Sequence, residues 1–139
     1  MSLFQKVDFK SHSGLNLSWK IECDEISNKE WKWLAEMIMD YEKRPFQAAL
    51  GIPRGGIILG TYLNEYSTQN IEDPYLIVDD VLTTGGSMDD FVNSYFRNRK
   101  PNYFGWVVFA RNKPQHWVKA LFQMPKVWAD DPSKLEYHK

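Results

Sequence analysis

A single cysteine, Cys23, stands among the 139 residues, so no intrachain disulfide can staple this chain. No stretch approaches the roughly 20 predominantly apolar residues that a membrane helix needs. No charge of one sign prevails: 17 Lys and Arg against 18 Asp and Glu leave a formal net charge of −1. That balance gives no overall drive toward nucleic acid or an anionic membrane. Internal repeats, low-complexity tracts and linkers are missing, and so is the GxxxxGK[ST] pattern of a P-loop. His12, His116 and His138 show no metal-ligand spacing. No signal-peptide pattern opens the sequence, and a cytoplasmic location is the expectation. Present instead are 43% hydrophobic and 15% aromatic residues, with six Trp. These suffice for one core in a single domain spanning 1–139.

Hydrophobic periodicity sets the order of elements. Leu15, Leu17, Trp19 and Ile21 alternate within the first 26 residues and predict a short strand or two. Ser27 followed by Glu30 is a capping-box pattern, and it opens a helix through about Lys43. Trp31, Leu34, Ala35 and Ile38 share one face of that helix, and Pro45 stops it. Gln47 to Ile52 reads as a short buried strand and Ile57 to Tyr66 as a helix. Tyr75 to Val81 is a strand with a helix behind it from Ser87 to Arg99. Tyr103 to Ala110 is another apolar strand. Gln115 to Phe122 reads as a short helix and Lys126 to Ala129 as a last strand. Strands alternating with helices predict an α/β fold with a mostly parallel, twisted sheet, binding ligands at the carboxyl ends of its strands.

Most of the chemistry sits in YLIVDDVLTTGGS, Tyr75 to Ser87. Leu76, Ile77 and Val78 form a buried strand that delivers Asp79 and Asp80 to the sheet edge. Thr83, Thr84, Gly85, Gly86 and Ser87 then make a tight loop whose amides can face an anion at a helix start. Carboxylates suit sugar hydroxyls or a metal, and the amide cradle suits a phosphate. Together they read as a sugar-phosphate site. The competing reading is an ordinary strand-to-helix turn, as in many nucleotide-binding folds. One strand earlier, Gly51 to Gly56 reads GIPRGG. Arg54 offers a positive charge, while Gly55 and Gly56 let amides approach an anion. Taken alone, Pro53-Arg54-Gly55-Gly56 is equally a plain turn.

The two motifs, in this order, resemble those of the type I phosphoribosyltransferases. The resemblance implies that family's fold, with a small hood built from the termini (about 1–27 and 111–139). It implies an enzyme that moves ribose 5-phosphate from phosphoribosyl pyrophosphate (PRPP) to a nitrogenous base and releases pyrophosphate. Asp79 and Asp80 would face the ribose hydroxyls, Thr83 to Ser87 would wrap the 5′-phosphate, and Pro53 to Gly56 would hold the pyrophosphate. Arg54 would join Asp79 and Asp80 as a catalytic group. Mg²⁺ would be held largely by PRPP and water, touching Asp79 and Asp80 only indirectly. The family often has a non-proline cis peptide in the pyrophosphate loop, here the Pro53-Arg54 bond. Homodimers are common in it, so a homodimer is a possible partner arrangement.

Base recognition is less fully written. Trp128 could stack on a base with Asp130 reading its edge; a core or interface tryptophan is the competing reading. Arg111 and Lys113 follow the Tyr103 strand, where purine enzymes of the family often carry a basic residue; solvated charge is the alternative. Thr83 stands where enzymes for 6-oxopurines usually place an acid, which argues against hypoxanthine or guanine. Only Ser67 to Pro74 precede the signature strand, where catalytic relatives usually carry further strands and a closing loop. A non-catalytic PRPP- or nucleotide-sensing regulator of the same fold is therefore the second expectation.

Overall fold

The structure is a computed structural model that describes residues 4–10, 16–21 and 23–124, with side chains from Cys23 onward. Strands β1 (Phe4–Lys10) and β2 (Asn16–Ile21) pair antiparallel as a separate ribbon. A 3₁₀ turn, Cys23–Glu25, leads to helix α1 (Asn28–Tyr41). The expected capping box forms: Ser27 Oγ accepts the Glu30 amide at 3.2 Å, and Glu30 Oε1 accepts the Ser27 amide at 2.9 Å.

The main sheet runs β3 (Ala48–Gly51), β4 (Tyr75–Leu82), β5 (Tyr103–Ala110) and β6 (Val118–Gln123), in that spatial order and entirely parallel. Helix α2 (Ile57–Leu63), extended by a 3₁₀ turn over Asn64–Tyr66, links β3 to β4, and α3 (Gly86–Phe96) links β4 to β5. Trp31, Ala35 and Ile38 of α1 join Leu59 and Leu63 of α2 over Leu76, Val78, Trp106 and Val108 on one face. Met88, Val92 and Phe96 of α3 cover Ile77, Val107, Ala110 and Val118 on the other. β4 is thus buried on both sides, which is why it reads as a continuous apolar run. Each fully buried Leu, Ile or Val contributes about 1.5–3 kcal/mol. At the β3 edge Asn64 stands in for a neighbouring strand, accepting the Ala49 amide at 2.8 Å and donating to its carbonyl at 2.7 Å.

Gln115 to Phe122 is not the helix that the sequence predicts. Residues 111–117 run back along the sheet without helical structure, and Val118–Gln123 pairs with β5. A short apolar run fits either period, and here the unpaired edge of β5 decides, because its amides and carbonyls need partners. The predicted strand Lys126 to Ala129 lies outside the described residues.

Glu42, 5% exposed, follows α1 and is the main charged group inside the core face. Its Oε1 accepts the Trp106 indole N–H at 3.0 Å and the Lys119 ammonium at 3.3 Å, and its Oε2 accepts the Arg44 amide at 3.1 Å. Burial alone would raise its pKa; the Trp106 bond, the Arg44 amide and Lys119 outweigh it and hold the carboxyl below the usual range. Removing the buried donor should cost more than removing the ammonium, whose side chain is 56% exposed. Trp106→Phe is expected to lower the unfolding free energy by about 2 kcal/mol, and Lys119→Met by less than about 1 kcal/mol. Urea unfolding of both variants checks this; equal losses would contradict it.

Candidate functional site

β3 and β4 pair in register from Ala48 with Tyr75 to Gly51 with Val78, so their carboxyl ends lie side by side. The chain leaving β3 continues this alignment: the Ile52 amide donates to the Val78 carbonyl at 2.9 Å. It then folds back, with the Gly56 amide on the Ile52 carbonyl at 2.8 Å and the Ile57 amide on the Arg54 carbonyl at 3.2 Å. The Pro53-Arg54 peptide is cis, as the family resemblance implies. Pro53, Arg54 and Gly55 are exposed and Gly56 is buried. Arg54 therefore carries its charge into solvent at this edge.

Asp79 and Asp80 stand one strand over. The Asp80 carboxylate lies against the backbone of Gly55, where any Cβ would overlap it. The two motifs, separated by a whole helix and loop, therefore meet in one place. Each carboxylate is fixed by the amide that follows it: Asp79 Oδ1 accepts the Asp80 N–H at 2.8 Å, and Asp80 Oδ1 accepts the Val81 N–H at 2.7 Å. Asp79 is 7% exposed. Burial first, and then the neighbouring charge of Asp80, push its carboxyl up to about 8.

After Leu82 the chain enters the Thr83–Ser87 loop. Gly85 caps α3 with φ of 90°, the left-handed region that glycine adopts without a Cβ penalty. Thr84, Gly86 and Ser87 are exposed, Thr83 is half-buried and Gly85 is buried. The loop opens onto the first turn of α3, whose free amides and dipole favour an anion. Two side chains that sequence reasoning missed brace it from behind. Asn112 Nδ2 donates to the Thr83 carbonyl, and Gln115 Nε2 donates to the Gly85 carbonyl at 3.0 Å. These contacts span 29 and 30 residues, and no local pattern signals them.

Arg111 lies at the same edge, 4% exposed, with its amide on the Leu82 carbonyl at 2.8 Å. Burial pushes its guanidinium below its ordinary value. Solvated surface charge does not describe Arg111, whereas Lys113 is exposed. Trp128 and Asp130 lie outside the described residues. Near the carboxyl ends of β5 and β6 an apolar recess of about 530 Å³ is lined by Trp33, Leu34, Met37, Phe109, Phe122 and Met124. Trp33 is 51% exposed and gives the recess a flat aromatic wall that the sequence did not single out.

Among the described residues no group of three or more His, Cys, Asp or Glu could hold a metal. Asp79 and Asp80 alone make a poor cage. They fit Mg²⁺ only in the manner that this ion favours, with one or two carboxylates and the rest of the shell from water and substrate phosphate. No described helix is long and apolar enough to cross a membrane.

No family model and no curated protein sequence matches the chain. Solved structures do. Orotate phosphoribosyltransferase from Aeropyrum pernix matches over 90% of each chain with a TM-score of 0.67 at 15% identity. UMP synthase from Leishmania donovani matches over 88% of this chain and 34% of its own, with a TM-score of 0.71 at 14% identity. Orotate phosphoribosyltransferase from Francisella tularensis matches over 87% of this chain and 80% of its own, with a TM-score of 0.60 at 12% identity. The fold is that of the type I phosphoribosyltransferases.

The raised Asp79 carboxyl has a consequence for stability. Its ordinary value is 3.8 and its folded value about 8, so the native state keeps a proton that the unfolded chain gives up between these limits. Stability from this group is complete below the lower value and is lost as pH rises through the upper one. Urea unfolding should show stability falling by more than about 1 kcal/mol from pH 5 to pH 8. Asp79→Asn should flatten that slope. An equally steep slope in the variant would contradict the assignment.

Proposed function

We propose that this protein binds PRPP and transfers its ribose 5-phosphate to a nitrogenous base with release of pyrophosphate. The contact of the Asp80 carboxylate with Gly55 supports the reading, because it joins the acidic pair of β4 to the arginine-bearing glycine turn after β3, one short step along the chain from the Thr83–Ser87 loop. In this reading Asp79 and Asp80 accept hydrogen bonds from the ribose hydroxyls and favour the positive charge that develops on the ring as the anomeric bond breaks. Arg54 and the amides of Gly55 and Gly56 meet the negative charge that grows on the departing pyrophosphate. Thr83 to Ser87 hold the 5′-phosphate at the start of α3 and fix the sugar for in-place attack. Mg²⁺, carried in with PRPP, would neutralise part of the pyrophosphate charge. Nothing in the Thr83 position can act as a base near neutral pH, so the acceptor nitrogen must attack without help from that residue. Arg111 is suited to an electron-rich edge of the base, such as a carbonyl or carboxylate, with Lys113 and, beyond the described residues, Trp128 and Asp130 as further contacts. The apolar recess beside Trp33 offers a wall for a flat heterocycle. The orotate enzymes among the similar structures make orotate the first acceptor to try. A hood from 1–27 and 111–139, a homodimer and a cytoplasmic setting belong to the same reading.

A second reading is favoured by one observation. Ser67 to Pro74 do not form a closing loop but a tied-down turn at the amino-terminal edge of the sheet, away from the site. Thr68 Oγ1 donates to Asp73 Oδ2 at 2.6 Å, the Gln47 amide donates to the Pro74 carbonyl at 2.8 Å, and Gln47 Nε2 donates to the Asp73 carbonyl at 2.9 Å. Closure that excludes water often completes a transferase site. Without it, the fold suits a PRPP or nucleotide sensor that performs no transfer.

Labelled PRPP with Mg²⁺ and a panel of bases distinguishes the two. The transferase reading predicts pyrophosphate release with one base, and Asp79→Asn or Asp80→Asn should each lower kcat/KM by about 100-fold. Tight PRPP binding with no pyrophosphate released by any base would support the sensor instead.

A further inference from the structure

We propose that Asn112 and Gln115, on the segment that crosses from β5 to β6, are positioning residues that set the Thr83–Ser87 loop for a phosphate monoester. The inference rests on the reading of that loop given above. Asn112 Nδ2 holds the Thr83 carbonyl, and Gln115 Nε2 holds the Gly85 carbonyl at 3.0 Å and Asp89 Oδ1 at 3.2 Å. In a planar trans peptide the carbonyl and the amide that follows it point in opposite directions. The Thr83 carbonyl is turned toward the crossover, and the Gly85 carbonyl, which also accepts the Asp89 amide of α3 at 3.2 Å, is held there by Gln115. The amides of Thr84 and Gly86 therefore point away from these donors. Two such amides aimed to one side make an anion cradle. Among the described residues the Gly86 amide meets the Thr84 hydroxyl, at a long 3.3 Å, and can exchange it for a stronger charge-assisted bond to phosphate.

The bracing amides are themselves anchored. Gln123 Nε2, on β6, donates to the carbonyls of Ala110 and Asn112 at 3.2 Å each. The Val118 amide donates to the Gln115 carbonyl at 3.0 Å. Gln115 also packs directly on Gly85, where a Cβ would come within 2.7 Å of its Oε1. Uncharged carboxamides suit this duty: they satisfy carbonyls from behind and add no charge that would compete with the phosphate. Strand β6, which a helix over Gln115 to Phe122 would have abolished, is thus what supports the loop.

Calorimetric titration of the full chain with PRPP and Mg²⁺ tests this, with ribose 5-phosphate and pyrophosphate as competing probes. Asn112→Ala and Gln115→Met should each weaken PRPP binding about tenfold and ribose 5-phosphate binding equally, while pyrophosphate binding changes less than about threefold. That split between probes is one that general loss of structure would not produce. Gln115→Met keeps the packing on Gly85 and loses only the donor, so it reports on the hydrogen bond even where Asn112→Ala unfolds. If the parent protein binds no PRPP, the reading of the site fails. If the parent binds and Gln115→Met binds equally well, or loses both probes alike, the positioning role is overturned.

Discussion

The carboxylate of Asp80 rests on the backbone of Gly55, and this contact brings together two loops that leave different strands. Strand pairing sets this approach. The parallel register of β3 and β4 brings the strand ends level, and the Ile52 amide on the Val78 carbonyl extends the pairing past the end of β3. Only glycine permits the approach, because any larger residue at position 55 would displace the carboxylate. Holding two acids side by side has a cost. Ionising Asp79 means charging a desolvated group beside the Asp80 carboxylate, a cost that ligand hydroxyls or a cation can offset.

The two halves of the molecule divide the work. Apolar residues on β4 and β5 fix the strands between helices on both faces, while the polar residues concentrate where those strands end. The Glu42 network shows the contrast: its carboxylate is enclosed by donors and has a structural task. Asp79 and Asp80 each receive one backbone amide, from the residue that follows, and among the described residues no side-chain cation pairs with either. Loop Ser67 to Pro74 belongs to the structural half, since its hydrogen bonds pin it to Phe46 and Gln47 at the far end of the sheet. Any water exclusion needed for transfer must therefore come from elsewhere.

Much of this was legible in the sequence where local rules decide. Ser27 and Glu30 announce their helix by a reciprocal cap, and the run Leu76 to Val78 announces a strand buried on both faces. The small residues Thr83 to Ser87 announce the tight loop before α3. Where partners are distant, the sequence is silent. Gln115 to Phe122 has apolar spacing compatible with either period, and pairing with β5 settles it as a strand. Asn112 and Gln115 look like ordinary loop residues, and their role exists only because the crossover brings them beneath Thr83 and Gly85. Arg111 was singled out by its place after a strand, but its burial could not be read from neighbours in sequence. Trp33 sits on the helix that carries the core stripe, yet faces an open recess.

The most direct test is a crystal structure of the protein with PRPP and Mg²⁺. The account predicts the 5′-phosphate within hydrogen-bond distance of the Thr84 and Gly86 amides, the ribose hydroxyls on Asp79 and Asp80, and the pyrophosphate beside Arg54 and Gly55. Ribose phosphate bound away from Thr83 to Ser87 would contradict it.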